Sequence, residues 1–98
     1  MKFIIAEKQG AHGLLLVVTD KELLGKNFEE GKVQLDLRST FYKGEERTKE
    51  EVKTLLAGAR DVVLTGKMAV ALGIELDLVD PKKILYVQNV PHAQAALE

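Results

Sequence analysis

Leu14-Leu15-Leu16-Val17-Val18 is an unbroken apolar run between Gly13 and Thr19-Asp20. A strand with one wet face alternates apolar and polar residues, whereas a run without alternation is a strand buried on both faces. This segment is therefore expected at the centre of a sheet that is covered on both sides. Lys2 to Lys8, rich in Ile and Phe, precedes it across the polar, Gly-containing Gln9-Gly10-Ala11-His12. Two strand-like runs so joined predict an antiparallel β-hairpin at the N-terminus.

Asp20 can accept from the free N–H groups of a short helix over Lys21 to Gly25. Gly25-Lys26-Asn27-Phe28-Glu29-Glu30-Gly31 brackets an aromatic anchor with two glycines and predicts a tight, irregular loop. Val33-Gln34-Leu35-Asp36-Leu37 alternates strictly, as an outer strand of the sheet would. Thr48-Lys49-Glu50-Glu51 is a capping box, and Val52, Leu55, Leu56 and Ala59 follow at i, i+3, i+4 and i+7 to give a helix with one apolar stripe. Val62-Val63-Leu64 predicts a strand over Asp61 to Thr65. Gly66 then opens a second helix, on which Met68, Ala71, Leu72, Leu76 and Val79 share a face. Asp80-Pro81 stops it, and Ile84-Leu85-Tyr86-Val87 supplies the last strand. The expected architecture is α/β (α+β), one small domain over residues 1–98. It has a mixed sheet of about five strands, an N-terminal antiparallel hairpin, parallel pairing in the second half and two main helices.

The chain's 98 residues are too few for a second core, and 46% apolar with 30% charged residues is an ordinary globular composition. Charge is balanced everywhere: Lys and Arg against Asp and Glu run 2 to 2 over residues 1–20, 7 to 7 over 21–50 and 5 to 6 over 51–98. No basic block suggests a polybasic membrane anchor or a dedicated nucleic-acid module, and no DNA-binding motif occurs. The absence of cysteine excludes disulfides, thiolate metal sites and cysteine nucleophiles. The longest apolar runs, Leu14 to Val18 and Met68 to Leu72, fall far short of the roughly 20 residues that span a bilayer. No signal-peptide pattern opens the chain, so a cytoplasmic protein is expected. Abundant Lys and Glu with few thermolabile residues give a thermophile-like composition. The closing Leu97-Glu98 reads as a vector-derived ending and carries no weight.

Leu24-Gly25-Lys26-Asn27-Phe28-Glu29-Glu30-Gly31, Phe41-Tyr42-Lys43-Gly44-Glu45 and Val90-Pro91-His92-Ala93-Gln94 occur in that order. Leu64-Thr65-Gly66-Lys67 and Leu78-Val79-Asp80 stand between the last two. With these phrases the whole chain resembles an archaeal family of small proteins known as a domain of unknown function, number four hundred and twenty-four in its series. The resemblance implies a lineage and no activity. Gly73 and Asp77 depart from the better helix former and the helix-ending glycine expected at those places.

Three groups of residues carry chemistry that a site could use. Gly66 and Lys67 follow a strand and open a helix, where free N–H groups and a cation could hold an anion. A P-loop would also need Gly at Asp61 and Ser or Thr at Met68, so that motif is absent. Arg38, Phe41, Tyr42, Lys43 and Arg47 interleave cations and rings as single-stranded RNA binders do, although Glu45 and Glu46 sit among them. The plainer alternative packs Phe41 in the core and leaves the charges solvated. In Val90-Pro91-His92-Ala93-Gln94, Pro91 fixes the chain direction and aims His92, with Gln94 beside it, as a base or a contact residue. A metal site would require His12 to meet His92, and neither metal nor cofactor is expected.

No nucleophile elbow, zinc-protease motif or pKa-shifting acid pair occurs, so no catalytic residue is assigned. The reading that follows is a non-enzymatic binding module contacting protein or RNA, with Arg38, Phe41, Tyr42, Lys43, Arg47, His92 and Gln94 as contact candidates. The alternative is a small-molecule or phosphate site, with or without catalysis, built from Gly66, Lys67 and His92. A third reading is a homo-oligomer paired through strand edges or the C-terminal segment.

Overall fold

The structure, a computed structural model, describes residues 2–97. Glu98 of the terminal pair set aside above lies outside the described residues. Strands β1 (Lys2–Gly10) and β2 (Gly13–Asp20) form the expected hairpin, with Gly10 opposite Gly13 at its tip. β2 is central: β1 lies on one side, and β6 (Asp61–Thr65) runs parallel on the other.

Beyond these, two strands appear that the pattern did not announce. β5 (Glu45–Thr48) pairs with β1, and β8 (Val90–Ala96) pairs with β6, both antiparallel. β7 (Leu85–Val87) closes the far edge against β8, so the sheet has six strands in the order β5-β1-β2-β6-β8-β7. The expected last strand is thus the edge strand of a second hairpin. Parallel pairing is confined to β2–β6 because the chain doubles back after β7. Gln88 and Asn89 make that turn with φ of 49° and 67°, the left-handed values that a two-residue hairpin demands at both positions.

Val33-Gln34-Leu35-Asp36 does form a strand, β4 (Val33–Asp36), but it is not an outer strand of the main sheet. It pairs with β3 (Asn27–Glu30) in a separate two-stranded sheet. The segment expected as an irregular loop around Phe28 is therefore half of a hairpin, turning at Gly31 with φ 61°. Leu35, Leu37 and Phe28 of this hairpin pack on Val87 and Val90, which fastens it over one face of the sheet.

The other face carries the helices. Alternation along β1, β2 and β6 directs Phe3, Ile5, Leu16, Val18, Val62 and Leu64 to it. There they meet Val52 and Leu56 of α1 (Lys49–Leu56) and Ala69, Val70 and Leu72 of α2 (Lys67–Glu75). The capping box of α1 is complete: Thr48 Oγ1 accepts from Glu51 N–H at 3.3 Å, and a Glu51 carboxylate oxygen accepts from Thr48 N–H at 3.0 Å.

The buried face of α2 differs from the expected one. Met68 and Ala71 are exposed, whereas Ala69, Val70 and Gly73 are buried. Gly73 is there because a Cβ would stand 2.4 Å from Leu64 Cδ1, so only glycine lets the helix lie this close to β6. The helix ends in a Schellman motif at Asp77, with φ 59°, where Asp77 and Leu78 donate to the carbonyls of Ile74 and Gly73. Aspartate here takes the role expected of glycine.

Candidate functional site

The start of α2 already holds an anion, and it is the chain's own. Asp20, at the end of β2, accepts from Met68 N–H at 3.0 Å and from Ala69 N–H at 2.8 Å. Gly66, with φ 109°, makes room for it: a Cβ at this position would lie 2.3 Å from Asp20 Cγ. Asp20 does not cap the turn over Lys21–Leu23 that follows it. Burial raises the Asp20 carboxyl above its ordinary pKa, against the two amide bonds that lower it, and nearby Glu22 adds to the rise.

The helix start and the C-terminal strand do meet. Gly66 N–H donates to the Pro91 carbonyl at 2.9 Å, and Thr65 stands in register with His92. Yet Lys67 lies beside Asn89 and Pro91, whereas alternation along β8 turns His92 to the opposite face. Lys67 instead shares a hollow of about 290 Å³ at the strand ends with Lys26, Phe28, Gln88, Asp20 and Glu22. The two acids place negative charge in the same hollow as the two lysines.

On the face opposite the helices, a polar row crosses three strands. Thr19 of β2 is in register with Thr65 of β6, and Thr65 with His92 of β8. Both threonines are fully buried. Thr65 Oγ1 and His92 Nδ1 are 2.9 Å apart, while Thr19 Oγ1 has no hydrogen-bond partner among the described residues. Burial lowers the His92 pKa, which favours the neutral ring. Gln94 Nε2 lies 3.4 Å from His92 Nε2 on the solvent side.

The aromatic loop covers the same face. Ser39 caps a short 3₁₀ turn over Thr40–Tyr42, which lays Phe41 and Tyr42 on Ala6, Val17 and Val63. The two rings meet edge to face with centroids 5.1 Å apart, and Lys8 Nζ stands 5.1 Å over the Phe41 ring. Tyr42 also touches the cluster beneath the β3–β4 hairpin; burial, with a smaller push from Asp36, raises its phenol pKa. Phe41 and Gln94 then both line a groove of about 500 Å³, together with Leu15, Val63, His12 and Asp61. The His12 and Asp61 side chains pair at 3.5 Å.

The cations of the loop go elsewhere. Arg38 holds Asp36 through two bonds of 2.8 and 3.0 Å, which keeps the Asp36 carboxyl below its ordinary pKa. Arg47 lies opposite Phe3, on the helical face, and pairs with Glu45 and Glu51. Lys43 is exposed beside Gly44. Four of the seven contact candidates, Phe41, Tyr42, His92 and Gln94, are therefore brought to one face, and Arg38, Lys43 and Arg47 do not join them at the groove. The His12–Asp61 pair was missed because a histidine in a turn and an aspartate opening a strand carry no local signal of their meeting. His12 and His92 do not assemble a metal site. Asp61, the partner of His12, is opposite Ala96, four residues or roughly 13 Å along β8 from His92. No group of three or more metal-binding side chains occurs among the described residues.

A family profile described as "Protein of unknown function (DUF424)" matches residues 7–97. The chain belongs to this family. The match takes in β1 from Glu7 onward, the rest of the main sheet, both helices and every residue lining the groove. An uncharacterized conserved protein from Methanopyrus kandleri has a crystal structure similar to this fold. Its TM-score is 0.77 at 16% identity over all of this chain and 96% of that one, a likeness of fold alone. Curated proteins give no match. No helix among the described residues is long and apolar enough to cross a membrane.

Proposed function

We propose that this DUF424 chain is a non-enzymatic binding module that contacts a partner protein through the groove between Phe41 and Gln94. The observation that carries the reading is convergence: Phe41 of the loop and Gln94 of β8, some 50 residues apart in the chain, line one largely apolar groove, with Tyr42 packed against Phe41 and His92 beside Gln94 on the same face. A half-buried ring above an apolar floor, with a polar amide in the same groove, suits a protein segment.

Two further facts favour protein over RNA and recognition over catalysis. RNA would need cations free to pair phosphates, and Arg38 and Arg47 are committed to carboxylates of the chain. The histidine–hydroxyl pair that could resemble an activated nucleophile, Thr65 with His92, has its hydroxyl wholly buried, out of a substrate's reach.

The test is capture from an archaeal lysate on the immobilised chain, with and without ribonuclease, beside a Gln94→Arg variant. A protein recovered regardless of ribonuclease, and lost with Gln94→Arg, is the expected result. Recovery that ribonuclease abolishes would transfer the groove to RNA, and recovery of nothing under either condition would overturn the reading.

A further inference from the structure

The two edges of the six-stranded sheet are treated differently. β5 reads Glu45-Glu46-Arg47-Thr48, and Glu46 is pinned by Lys2 at 3.0 Å and Lys21 at 2.6 Å. Charges along an edge strand repel a second sheet, which is how monomeric β-proteins protect such edges. β7 reads Leu85-Tyr86-Val87, with no charge, proline or glycine inside it. Leu85 and Tyr86 are 46% and 54% exposed, and Ile74 of α2, which shares a hollow with Tyr86, is 39% exposed.

The register says which backbone groups this edge presents. A two-residue turn is closed by a hydrogen-bonded pair, here Val87 and Val90, so the next pair, Tyr86 and Pro91, makes no hydrogen bond across the hairpin. Pro91 confirms this by turning its carbonyl to Gly66 on the other side. The N–H and C=O of Tyr86 therefore point out of the sheet edge.

We propose that β7 is a self-association edge: two copies pair β7 with β7, antiparallel about a two-fold axis at Tyr86, and join their sheets into one. Charge selects a second copy as the occupant. Lys82 and Lys83 lie at one end of β7. At the other end Glu30 accepts from Gln88 N–H at 2.8 Å, which anchors its carboxylate there, and the backbone carbonyl of Glu29 accepts from Gln88 Nε2 at 2.7 Å. An axis at Tyr86 sets residue 83 of one copy opposite residue 89 of the other, so each lysine pair arrives beside the other copy's Glu30 carboxylate. The patch is complementary to itself, as an isologous contact requires. Each Tyr86 ring also borders a shallow apolar hollow of about 280 Å³ between Ala71, Ile74 and Ile84, which pairing would cover.

This edge lies apart from the Phe41–Gln94 groove, so its test is independent of partner capture. Sedimentation equilibrium of the full chain over a concentration series is expected to show a monomer–dimer equilibrium, and the Tyr86 amide should exchange more slowly as dimer accumulates. Tyr86→Asp should leave a monomer with unchanged circular dichroism. The surface double variant Lys82→Glu, Lys83→Glu should raise the dimer Kd about tenfold, and adding Glu29→Lys with Glu30→Lys should restore it. A wild-type chain that stays monomeric at every concentration would overturn the proposal, as would a dimer that neither change at β7 weakens.

Discussion

Asp20 Oδ1 accepts the backbone N–H of Ala69 at 2.8 Å, so the residue that ends β2 is the N-terminal cap of a helix that starts 47 positions later. The bond ties the central strand to α2, and Gly66 makes it sterically admissible. Asp20→Ala leaves two amides of α2 without their acceptor and is expected to cost about 2 kcal/mol in chemical denaturation. Asp20→Asn, which keeps an acceptor, should lose less. Because burial raises the folded carboxyl's pKa above 3.8, the protonated form is favoured by folding. The stability Asp20 confers relative to asparagine should therefore be greatest below 3.8 and shrink as the pH rises through the raised value. A gap between the two proteins that widens with rising pH would contradict the desolvation argument.

Asp20 also marks how far the sequence could be read. Its chemistry as a cap was legible, but its helix was not, because the fold and not chain proximity chooses which amides a side chain reaches. Elements with strong periodicity were readable: the apolar run of β2, the capping box of α1 and the strand Val62-Val63-Leu64. β5 and β8 escaped for physical reasons. Glu45-Glu46-Arg47-Thr48 has no apolar residue to betray an edge strand. Val90–Ala96 combines a proline with alanines, yet Pro91 is tolerated because its nitrogen faces the end of β6, where the Gly66 carbonyl accepts from Val70 N–H instead. In the groove, Phe41, Tyr42, His92 and Gln94 stood out individually, but what unites them is the β6–β8 pairing, a contact between segments that no local pattern encodes.

Gly73 sets two effects against each other. Alanine in a helix interior is favoured over glycine by about 1 kcal/mol. At this site, however, the new Cβ would lie 2.4 Å from Leu64 Cδ1 and 3.2 Å from Val79 Cγ2, and Leu64 is fully buried with nowhere to move. Overpacking of this kind costs about 1 to 3 kcal/mol, so Gly73→Ala should be a net loss of up to about 2 kcal/mol. Combining it with Leu64→Val, which removes the offending methyl, should give a double variant more stable than the sum of the two single losses. Strict additivity in thermal denaturation would show that the two side chains do not collide.

His92 should make stability depend on pH in the opposite sense to Asp20. Burial depresses its pKa from 6.5, so the unfolded chain binds the proton more readily than the folded one. Stability due to the neutral ring is then fully present above 6.5 and is lost as the pH falls through 6.5 towards the depressed value. His92→Gln should flatten that part of the profile. An unaltered pH dependence in the variant would remove His92 as its origin.

Thr19 and Thr65 are neighbours in register, equally buried, and differ in one respect. Thr65 Oγ1 bonds His92 Nδ1, while Thr19 Oγ1 has no partner among the described residues. A buried hydroxyl without a partner costs its desolvation, of about 1 to 3 kcal/mol, and valine fills the same volume without that cost. Thr19→Val is therefore expected to raise stability by about 1 kcal/mol. Thr65→Val removes a bond and strands the ring nitrogen of a partly buried histidine, so it should lower stability by a similar amount, about 1 kcal/mol or more. It should also move the His92 titration followed by NMR, which Thr19→Val should leave in place. If Thr19→Val destabilised the protein instead, its hydroxyl would have to be satisfied in solution by a buried water, and the polar row would extend through all three residues.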